Sequence, residues 1–139
     1  MDISDNNEFG FEDTSYREAG QEAGLRQLSI DFYDFMETLP EAKRIREMHQ
    51  GSLEVMVEKL ALFLCGWLGG PSKYREKYGP IHIPQAHQHL EINMAERDAW
   101  LLCMKKAVEK QNYSFEFKEY LHKQFLVPAE RIRKTSLSR

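Results

Sequence analysis

Leu53, Met56, Leu60, Phe63, Leu64 and Trp67 fall at three- and four-residue steps, with Glu54, Glu58 and Lys59 between them. Only a helix of about 3.6 residues per turn gathers such a set on one face, so this segment is an amphipathic helix that needs covering. It stops at Gly69-Gly70-Pro71, where glycine allows a left-handed turn and proline cannot continue the ladder. The same spacing recurs on both sides. Leu25, Leu28, Phe32, Phe35 and Leu39 form an earlier stripe, and Trp100, Cys103, Met104 and Ala107 a later one opposite Lys105, Lys106 and Glu109. Phe117, Tyr120, Leu121, Phe125 and Ile132 mark a last helix from about Ser114 to Lys134, which Pro128 should bend or break. No segment alternates with the period of a strand. The fold class is all-α.

Punctuation between the stripes divides the chain. Thr38-Leu39-Pro40-Glu41 reads as a capping box opening a short helix through Met48, and Asn93-Met94-Ala95-Glu96 as a second. Ser72 to Gln85, with Gly79-Pro80 and Pro84, reads as a loop holding one short helical turn. Residues 1–14 are acidic and poor in aliphatics, the pattern of a mobile tail, which leaves 15–139 as a single domain.

The chain has 139 residues and a net charge of −3, which gives no reason to expect nucleic acid or an anionic membrane as a partner. Arg131, Arg133, Lys134 and Arg139 read as a solvated helix end. No apolar run approaches the eighteen or so residues of a membrane span, and the acidic N-terminus lacks the pattern of a secretory leader. Cys65 and Cys103 sit inside apolar helical patterns without CxxC spacing, so they read as reduced core residues of a cytoplasmic protein.

Three of the histidines fall in IHIPQAHQHLE, which invites a metal-site reading. On a helix His87 and His89 point to different sides. On an extended segment they converge with Glu91, but a zinc site also needs a rigid supporting shell that nothing nearby supplies. One histidine over an apolar slot suits haem better, because the porphyrin itself supplies four nitrogens. Phe63, Trp67, Leu90, Ile92, Met104 and Phe125 offer such a slot, although each alone reads more readily as plain core than as part of a cofactor site.

Three long segments sharpen this reading: FYDFMETLPEAKRIREMH at 32–49, KLALFLCGWLGGPSKY at 59–74 and HQHLEINMAERDAWLLCM at 87–104. In order and spacing the chain resembles the group II truncated haemoglobins from Glu18 to Arg133. The resemblance implies a two-over-two helical sandwich holding haem b. It makes His87 the proximal ligand of the iron, and His89 a bystander. It makes Tyr33, Trp100 and His49 the distal residues that stabilise a bound ligand, with Met48 adjacent to His49 in register. Leu60, Phe63, Trp67, Leu90, Ile92 and Met104 become the wall of the pocket, Met56 the distal helix residue, and Lys59 and Tyr74 propionate partners, with His82 a weaker candidate.

The implied function is binding and handling of O2, or of NO, CO or similar small ligands, with oxygen transport one form of it. The alternative is a redox enzyme that detoxifies nitric oxide or consumes peroxide. That role needs a separate reductase, since no flavin or nicotinamide motif is present. A helical interaction module without a cofactor is the third reading. The chain departs from the family pattern at Ala86, where many relatives carry a basic residue, at Gly79-Pro80-Ile81, and at AGQEAG over 19–24.

Overall fold

The computed structural model describes residues 9–48, 52–80 and 94–135. Among them the order is α1 (Thr14–Glu18), α2 (Gln21–Thr38), a 3-10 turn (Pro40–Ala42), α3 (Lys43–Met48), α4 (Leu53–Trp67), α5 (Lys73–Tyr78), α6 (Met94–Lys110) and α7 (Phe115–Thr135). No strand occurs among the described residues. Helix α2 packs against both α4 and α6, and α6 packs on α7, so two helix pairs meet through α2. Phe32, Met36, Leu64, Cys103, Val108 and Phe117 are almost completely buried where these helices meet. Cys65 and Cys103 are buried free thiols, and burial pushes Cys103 up to about 11, so neither ionises readily.

The Gly69-Gly70 corner ends α4 by close approach. Gly69 has φ +93°, and the Gly70 N–H donates to Cys65 O at 2.8 Å. A Cβ at Gly70 would sit 2.4 Å from the Tyr16 ring. Tyr16 N–H in turn donates to Leu68 O at 3.1 Å, which fastens α1 to the end of α4. The altered AGQEAG segment still turns, because Gly20 takes φ +90° between α1 and α2.

The expected tail is packed in its last part. The Phe9 ring lies 4.8 Å from Phe117 and 5.2 Å from Tyr120, and the Gly10 N–H donates to the buried Ser15 Oγ at 2.8 Å. Residues 9–14 therefore join the body of the fold. Three local expectations are also revised, and one cap is new. Thr38 does not cap the next helix; it is the last residue of α2, and its hydroxyl donates back to Asp34 O at 3.1 Å. Ser52, not singled out in the sequence, caps α4 by accepting from Val55 N–H at 3.4 Å. Leu53, placed on the apolar face by its spacing, is 42% exposed. Helix α7 runs through Pro128 without a break, held by the buried Phe125 and Ala129 on either side. The Asn93 cap lies outside the described residues.

Candidate functional site

Helix α4 is apolar on two adjacent faces. Ala61, Leu64, Cys65 and Leu68 are buried in the core, whereas Met56, Leu60, Phe63 and Trp67, one continuous stripe, are only half-buried. Trp100, half-buried on α6, is reached from that stripe through aromatic contacts. Phe63 and Trp67 are 6.4 Å apart between centroids, Trp67 stacks on Phe125 at 4.9 Å, and Phe125 meets Trp100 at 5.8 Å. Phe32 continues the series, 5.3 Å from Trp100 and 4.9 Å from Tyr33. The predicted wall residues Phe63 and Trp67 thus join the predicted distal residues Trp100 and Tyr33 in one aromatic array.

Tyr33 brings the polar chemistry. It is 7% exposed, and burial pushes its phenol up to about 12 against a weaker opposing pull from Arg46. The hydroxyl therefore keeps its proton, and with it the capacity to donate. The indole of Trp100 is a donor only. Midway along α4, Lys59 Nζ lies 5.2 Å over the Tyr78 ring, and Tyr74 contacts the same ring at 5.0 Å. Lys77 pairs with Glu58 beside them. The two predicted propionate partners are thereby gathered around Tyr78, which sequence reasoning missed. Its position four residues after Tyr74 on one short helix was the available signal.

Met104 is 1% exposed and lies beside Phe125 on a cleft between α6 and α7. His87, Leu90, Ile92 and His49, with His82 and His89, lie outside the described residues. Among the described residues no group of three or more His, Cys, Asp and Glu is placed to hold a metal ion. Glu96, read in the sequence only as part of a capping box, is a buried carboxylate on α6 that pairs with Arg44 of α3.

A half-buried apolar stripe facing aromatic rings, with a cation and a phenol beside it, fits a flat apolar macrocycle with an anionic edge. Two helix pairs around this aromatic array are the arrangement of a small all-α globin. The chain matches the bacterial-like globin family over residues 14–133 and belongs to it. It is 33% identical over 106 residues to the group 2 truncated hemoglobin YjbI of Bacillus subtilis, covering 76% of this chain and 77% of that protein. The group II 2-on-2 hemoglobin of Agrobacterium tumefaciens superposes with a TM-score of 0.80 at 34% identity, over 86% of this chain and 92% of that one. The cold-adapted truncated hemoglobin of Pseudoalteromonas haloplanktis TAC125 gives 0.81 at 31% identity, over 85% and 95%. The fold is the two-on-two truncated globin, and the family implies a haem cofactor and small diatomic ligands. No described helix is long and apolar enough to cross a membrane.

Proposed function

We propose that this chain is a cytoplasmic protein that binds haem b through His87 and retains O2, with NO and CO as competing ligands. The observation that carries this reading is the Tyr33 phenol, buried in the aromatic array and protonated up to about 12. Bound haem supplies the iron on which a diatomic ligand is held. Leu60, Phe63 and Trp67 exclude water from one side, and Leu90, Ile92 and Met104 extend the wall. Lys59 and Tyr74 meet the carboxylates at the edge of the macrocycle. Tyr33 and Trp100 donate hydrogen bonds to the partly negative ligand, and His49 adds a third donor. Each bond to a charged acceptor contributes about 1.5–3 kcal/mol, and about 1.4 kcal/mol is a factor of ten in an equilibrium. Donors of this kind favour retention over the quick release a carrier needs.

The test is spectroscopic. Haem added to the purified apoprotein gives a Soret band, and His87→Ala loses it while His89→Ala keeps it. The reverse pattern would move the proximal ligand to His89. Tyr33→Phe and Trp100→Phe each raise the O2 dissociation rate by about tenfold or more. Unchanged rates in both variants would remove the donor argument.

A further inference from the structure

Two grooves flank Lys105 on the outer side of α6. One, of about 190 Å³ between α6 and α7, has Leu101, Met104, Phe125 and Leu126 as its apolar lining, with Lys105 and His122 at its edge. The other lies between α6 and α2 over Phe35 and Leu102, rimmed by Lys105 and Lys106, with Lys110 beside them paired to Asp31 at 3.5 Å. Lys105 and Lys106 are exposed and form no salt bridge with a described residue. Glu109, the acidic residue of this rim, is already engaged by Lys118 at 3.7 Å and by His122 at 3.2 Å. A chain of net charge −3 therefore presents a cationic face with apolar floors. Leu126 and Val127, 48% and 50% exposed, extend the apolar surface along α7.

The floor of the first groove has a second role. Phe125 is the ring that stacks on Trp67 and meets Trp100 edge-on, so one aromatic side chain links the groove to the aromatic array of the candidate site. We propose that this face of α6 and α7 docks an acidic flavoprotein that delivers single electrons to the bound haem. The proposal rests on the haem reading above. O2 binds ferrous iron, and the chain has no flavin or nicotinamide motif, so reducing equivalents come from outside. In the transfer, the anionic flavin hydroquinone of the partner loses one electron to become the neutral semiquinone, and ferric iron is reduced to ferrous. The lysine rim recognises the partner's carboxylates, and the apolar floor suits the dimethylbenzene edge of a flavin. Complementary charge of this kind speeds encounter and is screened by salt.

The probe is flavodoxin, an acidic flavoprotein, titrated against this chain by calorimetry in both apo and haem-loaded form. Binding is expected at low salt and should weaken about tenfold as sodium chloride is raised to physiological strength. Lys105→Glu with Lys106→Glu weakens it about tenfold or more at low salt. Arg17→Glu with Lys134→Glu makes the same charge change away from the grooves and leaves it within about twofold. Equal loss in both pairs, or no loss in the first, overturns the docking face. In stopped flow, the Lys105/Lys106 pair of changes slows reduction by photoreduced flavodoxin but not by dithionite. Equal rates with flavodoxin also overturn it. Failure to form a Soret band defeats the haem reading instead, and the apoprotein titration still decides the docking.

Discussion

Arg44, at the start of α3, forms an ion pair with Glu96, Nε to Oε2 at 2.8 Å, and the Glu96 side chain is only 8% exposed. The pair ties α3 to the first turn of α6, four residues before Trp100. Residues four apart share a helix face, so the ion pair steadies the turn from which the indole projects. Arg44→Met, which keeps the length of the stem, is expected to destabilise the protein by about 1–3 kcal/mol, less than a fully buried pair because Arg44 is half-exposed. Urea unfolding measures it. A double-mutant cycle with Glu96→Gln showing no coupling energy would rule the pair out as a stabiliser.

Two glycines at the end of α4 should respond to alanine with opposite signs. Gly70→Ala drives a methyl into the Tyr16 ring and is expected to cost about 1–3 kcal/mol, with the end of α1 loosened. Gly66, inside α4 and exposed, has its nearest prospective contact at 3.6 Å, and Gly66→Ala is expected to stabilise by about 0.5–1 kcal/mol. Thermal unfolding of both variants checks the contrast. A neutral Gly70→Ala would show that the Tyr16 ring yields without penalty.

Burial holds Tyr33 and Tyr113 up to about 12, well above an ordinary phenol. The fold favours their neutral forms, so this stabilisation is complete below the ordinary phenol range and is lost as pH rises through about 12. An alkaline titration followed by phenolate absorbance should show Tyr33 and Tyr113 ionising late, together with loss of helical circular dichroism. Tyr33→Phe removes one late phenol. Six tyrosines ionising together in the ordinary range would contradict the burial of both rings.

Glu130 on α7 is pulled down to about 2, first by Arg133 and then by Arg97 of α6. Arg97 Nη1 reaches it at 2.7 Å and Arg133 Nε at 3.0 Å. A lowered carboxylate stabilises the fold above the ordinary carboxylate range, and the effect disappears as pH falls toward about 2. Glu130→Gln should therefore lower the urea midpoint at neutral pH and match the parent chain near pH 2. A gap that persists in acid would mean that the substitution acts through packing.

Helix positions were legible in the sequence because their burial is periodic. The stripes through Phe32, Leu64, Cys103 and Phe117 all lie in the core. Roles within a stripe were less legible. Leu60 and Leu64 are equally apolar, yet Leu64 is buried in the core and Leu60 is only half-buried against it. Polar contacts between distant residues left no local signal. Asp31 is buried on α2 because Gln27 and Gln111 donate to it at 3.1 and 2.7 Å, and Gln111 lies beyond the end of α6. The Thr38 hydroxyl satisfied a helix carbonyl behind it where the sequence pattern pointed ahead. Tyr33 and Trp100 were singled out through the family resemblance, since composition alone leaves a buried tyrosine indistinguishable from packing.

The Tyr113 hydroxyl, between α6 and α7, donates to Ala19 O at 3.2 Å across 94 residues of sequence. A closure of that span confers no stability until nearly the whole chain is available to make it. On the ribosome, the corner between α1 and α2 therefore waits for its last partner until α6 has left the exit tunnel. The N-terminal segment is made first and secured last.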